Sequence, residues 1–194
     1  MRPGRALRAG LLIGAVLGAS VSVAQQAAAA PACPDVEVIF ARGTDEPAGI
    51  GQVGKALVDT LKPMLKGLSI GTYAVEYPAS FDFLEAAAGA NDMSRRIKST
   101  VADCPDTKLV LGGYSQGAAV VDIVATAPLA GFGYTEPLPR AVVPHVAAVV
   151  VFGNPSARLG QPLTRMSPDF GAKTAAEWVA KLVRTKGSDS TGSS

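Results

Sequence analysis

The chain has 194 residues, 48% of them hydrophobic and 18% charged, which fits one domain with a sizeable core and excludes a disordered chain. Two cysteines are too few for a disulfide-rich scaffold, and their spacing matches no zinc motif. A single histidine excludes multi-histidine metal centres and restricts any imidazole chemistry to His145.

The formal charge of +2 belongs to the first residues. Arg2, Arg5 and Arg8 stand where there is no acid, and beyond residue 32 there are 15 bases against 16 acids. A net charge near −1 there gives no reason to expect a nucleic-acid partner.

Residues 1–32 are predicted to be an export signal. An Arg-rich start leads into the apolar run Leu11-Leu12-Ile13-Gly14-Ala15-Val16-Leu17, which continues to about Val23. Ala28-Ala29-Ala30 and Ala30-Pro31-Ala32 fit the small-x-small cleavage pattern. The run is short for a bilayer span of about 20 residues, so cleavage is expected, with no transmembrane segment afterwards. The mature chain is then secreted or cell-wall associated. Export makes Cys33 and Cys104 a natural disulfide pair, with two free thiols as the alternative.

Four strand signals follow in chain order. Val36–Ala41 is β-rich, and so are Ile70–Tyr77, Lys108–Leu111 and Val146–Phe152. Near-continuous apolar strands suit a parallel sheet covered on both faces. Helices are predicted between them. The first runs from about Gln52 to Lys66, with Ala56, Leu57, Leu61 and Leu65 apolar and Pro63 as a kink. The second spans Phe81 to Asp103, and the third starts at Gln116 and ends before Pro128. Gly131 to Pro144 is a Gly/Pro-rich surface loop. The last helix has a capping box at Thr174 and Glu177, an apolar face at Trp178, Val179, Leu182 and Val183, and a stop at Gly187. Residues 33–186 form the domain, and 187–194 form a disordered tail. The alternation predicts an α/β fold, a three-layer α/β/α sandwich with a mostly parallel central sheet.

Gly113-Tyr114-Ser115-Gln116-Gly117 matches G-x-S-x-G between a strand and a helix. That setting is what a nucleophile elbow needs, because the glycines relieve crowding and the serine hydroxyl projects above the strand. The helix N-terminus behind it offers N–H groups to a developing oxyanion. A Gly-rich turn that merely holds a serine is the alternative. Thr44 follows the first strand, at the edge where open α/β sheets bind ligands. Taken alone, it is equally an ordinary loop residue.

With Cys33-Pro34-Asp35, Phe40-Ala41-Arg42-Gly43-Thr44, Tyr77-Pro78-Ala79, Gly112 to Gly117 and Val151-Phe152-Gly153-Asn154-Pro155, the chain resembles the cutinase family of serine esterases. The match is to the exported cutinase-like proteins of mycobacteria and related actinobacteria, and it covers most of residues 33–174. The resemblance implies an α/β-hydrolase fold with Ser115 as nucleophile. It implies an oxyanion hole from Thr44, through hydroxyl and backbone, and from the Gln116 backbone N–H. It also implies a Cys33–Cys104 bridge and hydrolysis of short-chain or lipid-like carboxylic esters without metal or cofactor. A monomer is expected.

A triad also needs a base and an orienting acid, in the order Ser, Asp or Glu, His. Downstream of Ser115 the acids are Asp122, Glu136, Asp169, Glu177 and Asp189, and no histidine follows Asp169. The family places a strand and the loops bearing Asp and His between the positions of Thr174 and Ala175. Here Gly171-Ala172-Lys173-Thr174 runs straight into the last helix. The comparison implies an internal deletion that removes both partners and one edge strand. His145 precedes the strand Val146–Phe152, and seven residues at about 3.3 Å put it roughly 23 Å from that strand's far end. It is read as structural.

Gly49-x-Gly51-x-x-Gly54 matches the dinucleotide fingerprint, with Glu76 as a possible ribose-binding acid. It is rejected, because the dinucleotide turn follows its strand immediately and Gly49 stands eight positions after Ala41. The stretch is read as a flexible loop opening a helix. Arg95, Arg96 and Lys98 are read as a solvated helix face. Three functions remain open: an exported serine esterase of strongly impaired activity, an inert hydrolase fold that binds acyl chains or a partner, and a non-functional deletion product.

Overall fold

The computed structural model describes residues 33–155 and 172–189, with side chains of the last helix described over 175–185. The leader, residues 156–171 with Asp169, the Thr174 cap side chain and residues 190–194 lie outside the described residues.

The order of elements is β1 (Val36–Ala41), α1 (Gly51–Met64), β2 (Ile70–Ala74), a 3-10 turn (Phe83–Glu85), α2 (Ala86–Asp103), β3 (Lys108–Tyr114), α3 (Gln116–Thr126), a second 3-10 turn (Arg140–His145), β4 (Val146–Phe152) and α4 (Ala172–Asp189). Among the described residues the sheet has four strands in the order β2-β1-β3-β4, all parallel. β1 is buried at every position because it has a strand on either side and helices on both faces.

Side-chain alternation divides the core into two layers. Val36, Val38 and Phe40 of β1 point with Val110 of β3 toward Leu57 and Leu61 of α1 and Val179 and Val183 of α4. Ile39 and Ala41 point the other way with Leu109 and Leu111, toward Met93 and Ile97 of α2 and Val120, Val121 and Val124 of α3. The result is the expected three-layer α/β/α sandwich. Gly112 serves this packing directly, because a Cβ there would overlap the Phe40 ring.

Several predicted boundaries move. β2 ends at Ala74: Val75 N still donates to Phe40 O (3.0 Å), and beyond it the carbonyls of Val75, Tyr77 and Pro78 accept from Arg42 instead of from a strand. α1 ends at Met64, one residue after Pro63. α2 begins at Ala86, preceded by a 3-10 turn whose Asp82 side chain accepts from Leu84 N (3.0 Å). α4 begins two residues before Thr174 and runs through Gly187 to Asp189. A helical glycine costs about 1 kcal/mol but does not forbid continuation. The Gly131–Pro144 loop holds a tight bridged turn, Gly131–Tyr134, and the second 3-10 turn.

The basic cluster on α2 is more than a solvated face. Arg96 is paired with Glu37, a β1 carboxylate only 2% exposed, and Thr100 Oγ1 donates to the same carboxylate (2.7 Å). Arg96 also lies over the Tyr73 ring, 4.8 Å from its centroid. Arg95 reaches Asp92 (3.4 Å) and Lys98 reaches Glu136 (2.7 Å). A buried acid on the central strand has to be compensated by the helix that covers it.

Cys33 and Cys104 form a disulfide across 71 positions, tying the start of β1 to the end of α2. Closing such a loop is worth roughly 4 kcal/mol of unfolded-state entropy. The Cys33→Ser/Cys104→Ser double variant should lose about that much in urea unfolding. An unchanged midpoint would show that the bridge adds no stability.

Candidate active site

β3 runs directly into α3 through Ser115, and the backbone at this junction is tightly constrained. Ser115 has φ 53° and ψ −116°, a positive φ that only a tight turn imposes on a serine. Its N–H donates to Phe152 O at the end of β4 (2.9 Å), and its carbonyl accepts from Ala118 N (2.9 Å). The flanking glycines are steric necessities. A Cβ on Gly113 would overlap the Gly117 carbonyl, and one on Gly117 would overlap the Ala41 and Arg42 carbonyls. The first turn of α3 therefore lies directly on the end of β1, with Ser115 at the carboxyl end of the sheet. This is the strand–turn–helix arrangement of an elbow.

The β1 end supplies Thr44. Its Oγ1 reaches Gln116 Oε1 in a long contact of 3.4 Å. The fully buried Gln116 side chain also donates through Nε2 to Asp82 O (3.1 Å). Gln116 thus bridges the Thr44 turn and the Phe81–Glu85 segment. Its backbone N–H belongs to the first turn of α3, where N–H groups lack intrahelical acceptors and the helix dipole is positive. Thr44 thus stands against Gln116, the chain neighbour of Ser115. Tyr114 fills the space beside them. Its ring lies between Gly43 and Gly153, and a Cβ on Gly43 would stand 2.6 Å from it.

Arg42 and Glu46 were not legible as parts of this site. The Arg42 guanidinium is buried and donates to Tyr77 O (2.7 Å), Pro78 O (3.3 Å), Val75 O (3.5 Å) and Glu46 O (2.9 Å). The Glu46 carboxylate accepts from Gly43 N (2.6 Å) and Gln52 N (2.9 Å), so it ties the Thr44 turn to the start of α1. It also accounts for Gly51, whose φ is +68° and whose Cβ would strike that carboxylate. The loop before α1 is therefore clamped rather than flexible, Gly51 opens the helix, and Gly54 in its first turn leaves room for Phe40. The only signal in the sequence was an acid shortly before a helix start.

The remaining candidates lie elsewhere. β3 and β4 are parallel, with Leu109 opposite Val146 at one end and Tyr114 opposite Phe152 at the other. His145 precedes Val146 and Ser115 follows Tyr114, so the imidazole stands at the opposite end of the sheet. There its Nδ1 lies 3.0 Å from Pro105 O. Asp122 accepts from Asn154 Nδ2 (2.8 Å), and Glu136 is held by Lys98, which lowers its pKa. Among the described residues no group of three or more His, Cys, Asp or Glu side chains could hold a metal ion.

Two measurements follow from this geometry. Gly117→Ala should abolish the native junction, seen as loss of cooperative thermal unfolding, whereas Gly131→Ala has open space and should not. A native melt for Gly117→Ala would mean that the close approach is not required. The second concerns pH. Burial pushes the Tyr77 phenol up to about 12, with Arg42 opposing and Glu46 adding, while its O–H donates to Arg42 O (2.5 Å). The unfolded phenol titrates near 10, so the folded state holds its proton longer. The stability this contributes is present below pH 10 and lost as pH rises from 10 to 12. Tyr77→Phe should flatten that alkaline loss in denaturation curves.

A cutinase family profile matches residues 32–179. Phospholipase Culp4 of Mycobacterium tuberculosis is 52% identical over 89% of this chain and 77% of its own length. Probable carboxylesterase Culp3 of the same organism is 53% identical over 86% of this chain, which spans just 65% of that relative. Among solved structures, Trichoderma reesei cutinase in complex with a phosphonate inhibitor superposes with a TM-score of 0.56 at 33% identity, covering 79% of this chain and 77% of the other. Two sheet-end turns joined through Gln116, a sterically forced elbow and these likenesses agree, and the chain belongs to the cutinase family of carboxylic ester hydrolases.

Proposed function

We propose that this chain is an exported serine esterase of cutinase type that hydrolyses short-chain or lipid-like carboxylic esters through Ser115, with strongly impaired turnover. The observation that carries the reading is Ser115 at φ 53° with Thr44 and Gln116 gathered beside it. In the proposed step Ser115 Oγ attacks the ester carbonyl carbon. The oxyanion is then held by the Gln116 N–H and by Thr44, whose hydroxyl turns away from Gln116 Oε1. The alcohol leaves and water releases the acyl group. Export to the cell wall or beyond is supported by the leader pattern and by a disulfide suited to an oxidising compartment. Culp4 is named a phospholipase, which supports lipid-like esters as substrates here.

Impairment follows from the place of the imidazole. The chain's one histidine stands at the amino end of β4, and among the described residues no imidazole stands beside Ser115, so in this reading the hydroxyl proton passes to solvent. Serine hydrolases stripped of triad members retain about 10³–10⁴-fold acceleration over water. Losing the histidine alone lowers kcat on the order of 10⁶-fold. The same observation favours a second reading, an inert fold that binds acyl chains.

Hydrolysis of p-nitrophenyl butyrate should be weak and should vanish in Ser115→Ala. A turnover that matches an intact relative and depends on Ser115 would refute the impairment. A fluorophosphonate probe should label Ser115 slowly. Complete failure to label, together with cooperative melting, would replace the esterase reading by the binding one.

A further inference from the structure

Between α3 and the second 3-10 turn the chain makes a two-residue hairpin. Gly131 N donates to Tyr134 O (2.8 Å) and Tyr134 N donates to Gly131 O (2.9 Å). The two central residues, Phe132 and Gly133, have φ 49° and 84°. Positive φ at both positions is the mark of a type I′ turn, whose first central residue is favoured as Asn, Asp or Gly. A phenylalanine there is strained. It also makes no packing that would offset the strain, since its relative exposure is 103%. Leu129, three residues earlier, is 77% exposed.

The turn is held rigidly from below. Asn91 of α2 donates to Gly133 O (2.8 Å) and accepts from Thr135 N (2.7 Å) and Glu136 N (3.2 Å). The Tyr134 hydroxyl is 2.9 Å from Ser94 Oγ in a buried contact. Protein structures tolerate an outlier of this kind where the surroundings over-determine it, and such outliers cluster at functional positions. The fold here fixes a bare aromatic ring at the end of a stiff projection.

The occupant follows from chemistry and size. From Ala127 to Thr135 no residue is charged, so nothing at the tip opposes transfer out of water. A stable protein interface takes about 800 Å² from each partner. A phenylalanine supplies about 150–250 Å², so the ring and Leu129 at the tip fall well short by themselves, and the exposed Phe81, Phe83 and Leu84 lie on the neighbouring segment rather than on the tip. A ring on a convex tip is instead suited to a soft medium, where binding grows with the apolar area inserted. Gly133 packs toward Ala87, one turn beyond Leu84, itself 80% exposed. The tip therefore stands on the part of α2 that adjoins the Gln116 side of the site.

We propose that the Gly131–Tyr134 turn is an anchor that inserts Phe132, with Leu129 beside it, into an uncharged lipid surface. This docking does not depend on Ser115, and adsorption is read without turnover, so it stands or falls apart from the esterase reading. The test uses the full chain and phosphatidylcholine vesicles. In co-sedimentation, Phe132→Asn should adsorb at least about tenfold more weakly, the lower end of what burying one phenylalanine is worth. Asn also suits the left-handed φ, so the same variant should raise Tm by about 2–4 °C. Weaker binding by a more stable protein cannot be a folding defect. In a Trp178→Phe background, which removes the chain's one tryptophan, Phe132→Trp should shift its emission to the blue on vesicles. Undiminished adsorption of Phe132→Asn, or an unshifted tryptophan spectrum, would overturn the proposal. So would Phe132-dependent self-association or protein binding with no adsorption to vesicles.

Discussion

The close approach of α3 to β1 organises this molecule. The Gly117 backbone lies so near the Ala41 and Arg42 carbonyls that no side chain could stand between them. Gly113 permits the matching approach within the elbow. Once those two contacts are made, Ser115 has to take a positive φ, and its N–H falls to Phe152 O at the end of the neighbouring strand. The position of the hydroxyl is then a property of packed backbone rather than of a flexible loop. Rigid placement is what a nucleophile and its oxyanion donors need.

A second set of interactions holds the opposite wall. Arg42 is buried at the end of β1 and donates to the carbonyls of residues 46, 75, 77 and 78. Those carbonyls would otherwise be poorly satisfied where β2 has left the sheet. Glu46 closes the turn on the other side. The buried Gln116 side chain links this wall to Asp82. Among the described residues no buried side-chain nitrogen or oxygen lacks a partner. The polar groups around Ser115 are thus a closed framework, and a closed framework is rigid.

The same framework accounts for the chemical asymmetry. Parallel strands put every strand-to-helix turn at one end of the sheet and every helix-to-strand turn at the other. Ser115 and Thr44 follow strands, and His145 precedes one. No rotation of a side chain crosses the length of β4.

Local chemistry made much of this legible. The four strands were visible because apolar runs that short, bounded by Gly, Pro and charge, have few other uses. The elbow was visible because a tight strand-to-helix turn needs glycine on both sides of the serine. The His145 end assignment needed only strand direction. Much of what stayed hidden involves partners distant in sequence. Arg96 was read as surface because nothing local reveals that Glu37, 59 positions earlier, lies buried beneath it. Glu46 gave no sign that its carboxylate would fill the space left by Gly51. Phe132 was one of several apolar residues in a Gly/Pro-rich loop until the hairpin bonds and the Asn91 contacts fixed its φ and its exposure. By itself the sequence determined the layered fold, the glycine-flanked turn at Ser115 and the remote place of His145, because each depends on neighbours along the chain. The tertiary structure alone decided which charges are buried, which loop is rigid and which aromatic ring faces outward, because each depends on what the fold brings across from elsewhere.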